Sequence, residues 1–157
     1  MLPVQIGPTT NKFLDRTAAD ADTASDDMTD SNSRSTEEVL EDHLAKRRKR
    51  LLEDDLATNY ADSVALLTVN SNAVGHDAIR YSAARLAEQL PEADYEFIAK
   101  QVNGPYALLI WRATSRDGDA IDGADSFVIE DGLIQLQTIH YRLVNSESRC
   151  ARPDLRL

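Results

Sequence analysis

The chain has one cysteine, three histidines and no long apolar run, and each shortage closes off a class of protein. With Cys150 as the only cysteine among 157 residues, no intrachain disulfide can form. That fits a reducing cytoplasm. No hydrophobic stretch approaches the roughly 20 residues of a membrane span. The opening "MLPVQIGPTTNKFL" lacks a basic region followed by a continuous apolar stretch, so it makes a poor secretory signal. A cytoplasmic protein is the expectation. Basic residues are also in deficit. Seventeen Lys and Arg against 27 Asp and Glu leave a net charge of −10, which argues against nucleic acid or an anionic membrane as partner. Scattered histidines with no clustered carboxylate–histidine spacing point to no metal site. There is no glycine-rich phosphate loop and no serine or cysteine in a nucleophile motif, so no cofactor is expected.

What is present is unevenly spread. Hydrophobic residues make up 42% of the chain, yet from Asp15 to Glu38 large apolar side chains are almost missing, and from Val64 to Leu143 they are dense. Residues 1–34 therefore read as a disordered acidic tail that cannot bury enough surface to offset its ordering entropy. One domain follows over 35–144, and 145–157 reads as a flexible tail.

Within the domain, "STEE" is a capping box, with Ser35 and Glu38 three residues apart at a helix start. Val39, Leu40, Leu44, Leu51, Leu52, Leu56 and Tyr60 then recur at helical spacing, with a break near Leu51. Opposite charges four apart (Asp42 with Lys46, Lys49 with Glu53, Arg50 with Asp54) support this stretch. "ADSVALLTV" reads as a strand and "NSNAVGHD" as turn chemistry. "HDAIRYSAARLAEQL" carries Ile79, Ala83, Leu86 and Leu90 on one side and ends at Pro91. From Ala93 onward the pattern is four strands. "YEFIAKQV" leads through the hairpin signal Asn103-Gly104 to "YALLIWRATS", apolar on both faces as a central strand should be. "DGADSFVIEDGLIQLQTIHY" supplies the last two. Helices segregated from an antiparallel meander mean α+β, with about three helices of the N-terminal half laid across one face of a curved antiparallel sheet.

Alternation along the quoted stretch sets Asp125 on one face with Ile121, Gly123, Phe127 and Ile129. A carboxyl group in such a row is desolvated, which raises its pKa and suits it to acid–base work, to anchoring a ligand, or to a structural hydrogen bond. His140 lies near the end of the last strand as a candidate partner for Asp125. Trp111 and Tyr95 on strands are candidate pocket walls or plain core. His76 follows a glycine at a helix-capping position. The run "KRRKR" (Lys46 to Arg50) matches a nuclear-localisation or anion-binding pattern. Five helical residues cover every direction, however, and Glu41, Asp42, Glu53, Asp54 and Asp55 flank them. A solvated, self-paired helix surface is the expectation.

Four strings in order, "LATNYADSVALLT", "GHDAIR", "ALLIWRA" and "DSFVIEDGLIQLQTIHY", resemble the nuclear transport factor two superfamily, especially its SnoaL-like polyketide-cyclase and ketosteroid-isomerase branches. The likeness spans Thr36 to Leu143. It implies a cone-shaped α+β roll, an apolar pocket for a hydrophobic, oxygenated small molecule, and a homodimer through the outer sheet face. Carried over residue by residue, the isomerase branch's oxyanion-holding aspartate falls on Asp125. Its general base falls on Thr68 and its tyrosine on about Leu44, beside His43. Threonine is no base near neutral pH and leucine donates no hydrogen bond, so steroid isomerisation by that route is not expected. The resemblance leaves Asp125 and His140 as the acid–base candidates, with Trp111, Phe127, Thr68, Tyr95 and Tyr60 lining the pocket. It also leaves a second reading, a non-catalytic dimerising module whose cone is filled.

Overall fold

A computed structural model of the chain describes residues 33–145. All but the last two residues of the expected acidic N-terminal tail, and all but the first residue of the C-terminal one, lie outside them. The elements run α1 (Thr36–Arg48), α2 (Leu52–Asn59), β1 (Tyr60–Thr68), β2 (Ser71–Val74), α3 (His76–Gln89), β3 (Asp94–Asn103), β4 (Tyr106–Thr114), β5 (Gly118–Glu130) and β6 (Leu133–Asn145). The three helices pack against one curved, unclosed sheet of strand order β2-β1-β6-β5-β4-β3. The α+β class holds. Among the described residues, no helix is long and apolar enough to cross a membrane.

Local chemistry sets the helix limits. Ser35 Oγ accepts the Glu38 amide at 3.2 Å, and the Glu38 carboxylate accepts the Ser35 amide at 2.8 Å, closing the capping box. Glu37 and Glu38 in the first turn and Lys46, Arg47 and Arg48 in the last complement the helix dipole. The break comes at Arg50, whose φ of 59° turns the chain between α1 and α2. Only the Asp42–Lys46 pair forms as expected. With Lys49 and Arg50 in the turn rather than on a continuous helix, Glu53 is taken instead by Arg80 of α3.

Three expectations about the sheet need correction. "NSNAVGHD" is not all turn: Ser71–Val74 folds back on β1 as a short antiparallel edge strand, pairing Thr68 with Ser71 and Ala65 with Val74. Pairing with an available edge outweighs its weak intrinsic strand preference. The sheet is mixed rather than antiparallel, because β1 runs parallel to β6. β4 is not central either; β6 and β5 are. The outward residues of β4, with Tyr106 62% and Leu108 37% exposed, are not covered by the other described residues.

A fourth correction concerns the face that Asp125 occupies. The β5–β6 register shifts between Ile121 and Ala124, where Asp122 takes φ 56°. The extra residue of this bulge inverts the alternation. Ala120 and then Gly123, Asp125, Phe127 and Ile129 point into the core, and Ile121 falls on the other side. The core under the helices joins Val64, Leu66, Leu109, Trp111, Phe127, Ile129 and Ile134 of the sheet to Val39, Leu40, Leu44, Leu56 and Ile79.

Candidate functional site

Asp125 is 7% exposed, and it is held from both neighbouring strands. It pairs directly with Leu109 of β4 and Ile139 of β6. The residues two further along on that face, Trp111 and Gln137, are its diagonal neighbours, within reach of long side chains. Trp111 Nε1 donates to Oδ1 at 2.8 Å, and Gln137 Nε2 donates to Oδ2 at 2.9 Å. Gln137 is itself oriented by the Tyr60 hydroxyl, which donates to its Oε1 at 2.7 Å. Burial pushes the Tyr60 phenol far above its ordinary range, so that hydroxyl stays protonated and keeps donating. The indole reaches Asp125 because Gly123 stands opposite Trp111. A Cβ at 123 would overlap both the indole ring and the Trp111 carbonyl.

Two effects oppose each other at this carboxyl. Burial is the larger and raises its pKa; the hydrogen bonds from Trp111 and Gln137, and the charges of His43 and Arg47, lower it. The balance leaves Asp125 pushed up to about 6.

A second polar group is built by the helices. His43 Nδ1 lies 2.9 Å from Asp55 Oδ2, and both side chains are buried. Asn59 donates to the same carboxylate at 2.9 Å, and Arg34 donates to the Asn59 oxygen at 2.8 Å. Asp55 thus holds the proton of His43 on Nδ1 and fixes the ring, which stands edge-on to Tyr60 and Phe127.

Between α3 and the sheet lies a cavity of about 380 Å³. α3 buries only Ile79 fully and turns Ala83, Ala84 and Ala87 toward this space. Methyl groups at these three places leave the sheet's inner face unfilled. Asp125, Gln137 and Trp111 form the floor and His43 a wall; Arg47, Arg50 and Glu92 stand at the more exposed end. Its size is in the range of small-molecule pockets, about 300–1,000 Å³, and its lining is mostly apolar with a few convergent polar groups.

Of the residues singled out from the sequence, Asp125, Trp111 and Tyr95 line this cavity. Tyr60 and Phe127 are buried next to it, Tyr60 behind Gln137 and Phe127 against His43. Thr68 is half-buried at the far end of β1, where its hydroxyl accepts the Asn70 amide. His140 is exposed and pairs across from Ala124, so it faces away from Asp125. His76, at the start of α3, lies 3.8 Å from Asp62. The run at 46–50 is not a uniformly solvated surface. Lys46 is tied to Asp42 and Arg48 covers the Phe97 ring at 4.4 Å, but Arg47 and Arg50 line the cavity because the helix ends between them. Sequence reading missed His43, Asp55 and Gln137. Twelve residues and a helix break separate His43 from Asp55, so no helical spacing signals the pair. Among the described residues, no group of three or more metal-ligating side chains occurs.

No protein-family model and no curated protein matches this chain. Solved structures do. A ketosteroid isomerase-like protein of Kribbella flavida aligns over 73% of this chain and 83% of its own, with TM-score 0.57 and 16% identity. A polyketide cyclase-like protein of Sinorhizobium meliloti aligns over 66% and 94%, with TM-score 0.55 and 18% identity. An NTF-2 like protein of unknown function from Burkholderia xenovorans aligns over 77% and 95%, with TM-score 0.58 and 10% identity. At such identities the likeness establishes the fold.

Proposed function

On the nuclear transport factor two-like fold that this chain adopts, we propose that it binds an apolar, oxygenated small molecule and moves a proton on it through Asp125. One observation carries this reading: an ionisable carboxyl, pushed up to about 6, stands at the floor of an open apolar cavity. A filled core has little reason to keep an acid there. Near neutral pH such a group exists in both forms. The carboxylate removes a proton from carbon or oxygen next to the ligand's carbonyl, and the acid returns it elsewhere, as an isomerase, cyclase or hydratase requires. A correctly placed group of this kind contributes on the order of 10²–10⁴ in rate. Trp111 and Gln137 fix its oxygens, and His43, with Nδ1 engaged by Asp55, is the neighbouring group suited to taking up and passing the proton. The structural neighbours with isomerase-like and cyclase-like names support the same class.

The exposed Tyr106 and Leu108 on the outer sheet face support a homodimer through that face. They also favour the second reading, a dimerising module without chemistry, but the alanine-lined void suits a binder better than a filled cone. Melting-temperature screening against polyketide-like, steroid-like and aromatic acid compounds decides between them. Ligands should raise the wild-type melting point, and Asp125→Asn should retain binding while losing any turnover. A screen in which nothing shifts the wild-type protein removes the binder reading.

A further inference from the structure

Arginines are unequally engaged around this cavity. Arg80 lines it too, but Glu53 and Asp77 hold its guanidinium at 2.7 to 2.9 Å. Arg47 has only a 4.0 Å approach to Asp55, a carboxylate already served by His43 and Asn59. For Arg50 no ion pair is found among the described residues, and it occupies a left-handed turn position, φ 59°, where glycine is the ordinary choice. Of the two, Arg50 is exposed and Arg47 half-buried, whereas Asp125 in the same lining is buried. In a chain of net charge −10, two under-used cations line an apolar cavity whose only acids are Glu92 and Asp125.

Resting on the small-molecule reading above, we propose that the ligand is an amphipathic carboxylic acid. Its carboxylate pairs with Arg47 and Arg50, and its apolar body runs inward to Asp125. The reverse orientation sets two carboxyl groups against each other on the floor, where charge is least screened. Guanidinium–carboxylate hydrogen bonds are charge-assisted, and forked ones select the planar anion over a neutral isostere.

Trp111 is the only tryptophan in the chain and lines the cavity, so its emission reports occupancy. The full chain is titrated at pH 7.5 and low salt with 4-cyclohexylbutyrate and, separately, with 4-cyclohexylbutyramide. The acid should bind about tenfold more tightly than the amide. Arg47→Gln/Arg50→Gln should bring the two within about twofold, with amide binding unchanged. If that double variant does not fold, the exposed Arg50→Gln alone should cut the acid's advantage by about threefold. Equal binding of acid and amide to the wild type, or a preference that survives the arginine substitutions, overturns the anionic ligand and leaves the binder reading standing. If neither compound changes Trp111 emission, both fall.

Discussion

Replacing Asp125 by asparagine tests the opposition of forces on which the proposed chemistry depends. In the unfolded chain the carboxyl titrates near its ordinary 3.8; in the fold it is pushed up to about 6, chiefly by burial. A raised native pKa means that the folded state holds the proton over a range where the unfolded state has released it. The stabilising effect is complete below about pH 4 and is lost as pH rises through 6. A difference of about two pKa units is worth about 3 kcal/mol, and the slope between the two values is at most about 1.4 kcal/mol per pH unit. The Asp125→Asn variant has no charge to bury here at any pH. The amide nitrogen it introduces cannot accept from Gln137, which adds a pH-independent loss of about 1–3 kcal/mol. Urea unfolding of both proteins at pH 4, 5, 6, 7 and 8 separates the two effects. The stability of the variant minus that of the wild type should climb by about 2.4 kcal/mol from pH 4 to pH 7 and then level off. A difference that stays flat, or that falls with pH, would show the carboxylate to be welcome in the fold and would remove the physical basis for acid–base work at this residue.

The remaining expectations concern the groups around that carboxyl and the outer face. Asp55→Ala strands a buried imidazole and the Asn59 amide together, so urea unfolding should show a loss of about 3–5 kcal/mol, and a loss under about 1 would make the His43–Asp55 contact incidental. Gly123→Ala forces the Trp111 ring away from Asp125; about 1–3 kcal/mol should be lost and Trp111 emission should move to the red, whereas unchanged emission would refute the close approach. Tyr106→Lys with Leu108→Lys should convert a dimer to a monomer in sedimentation velocity without lowering the melting point of the monomer. A wild-type protein that already sediments as a monomer would end the homodimer proposal.

Features within a few residues of each other were legible. The Ser35–Glu38 box and the stop at Pro91 depend on local geometry and appear where the sequence puts them, and the hairpin signalled by Asn103-Gly104 forms with its two-residue turn one position later, at Gly104-Pro105. Asp131 and Gly132 both take positive φ, as a type I′ turn requires. The facing of Asp125, Phe127 and Ile129 follows from the period of two. Ile121 leaves that face because the bulge at Asp122 adds a residue that no hydrophobic pattern records. β2 escaped because Ser71 to Val74 becomes a strand only through β1 beside it. The partners of the buried acids come from other elements, Trp111 fourteen residues from Asp125 and Asp55 twelve from His43, so register and helix packing decide them.

The cavity itself comes from small residues rather than large ones, and this is what ties the fold to the proposed function. A row of leucines at 83, 84 and 87 would seat α3 on the sheet and add buried area, at about 25 cal/mol per Å². The chain has alanines there and leaves the floor open. The floor then exposes the one group whose environment pulls in both directions. Burial alone would leave Asp125 a permanent acid, and its two hydrogen-bond donors alone would leave it a permanent carboxylate. A structural aspartate needs the donors and no void; a plain apolar pocket needs the void and no donors. Having both, in a cavity that Arg47 and Arg50 also line, is the combination that supports the proposal of proton transfer on a bound acid.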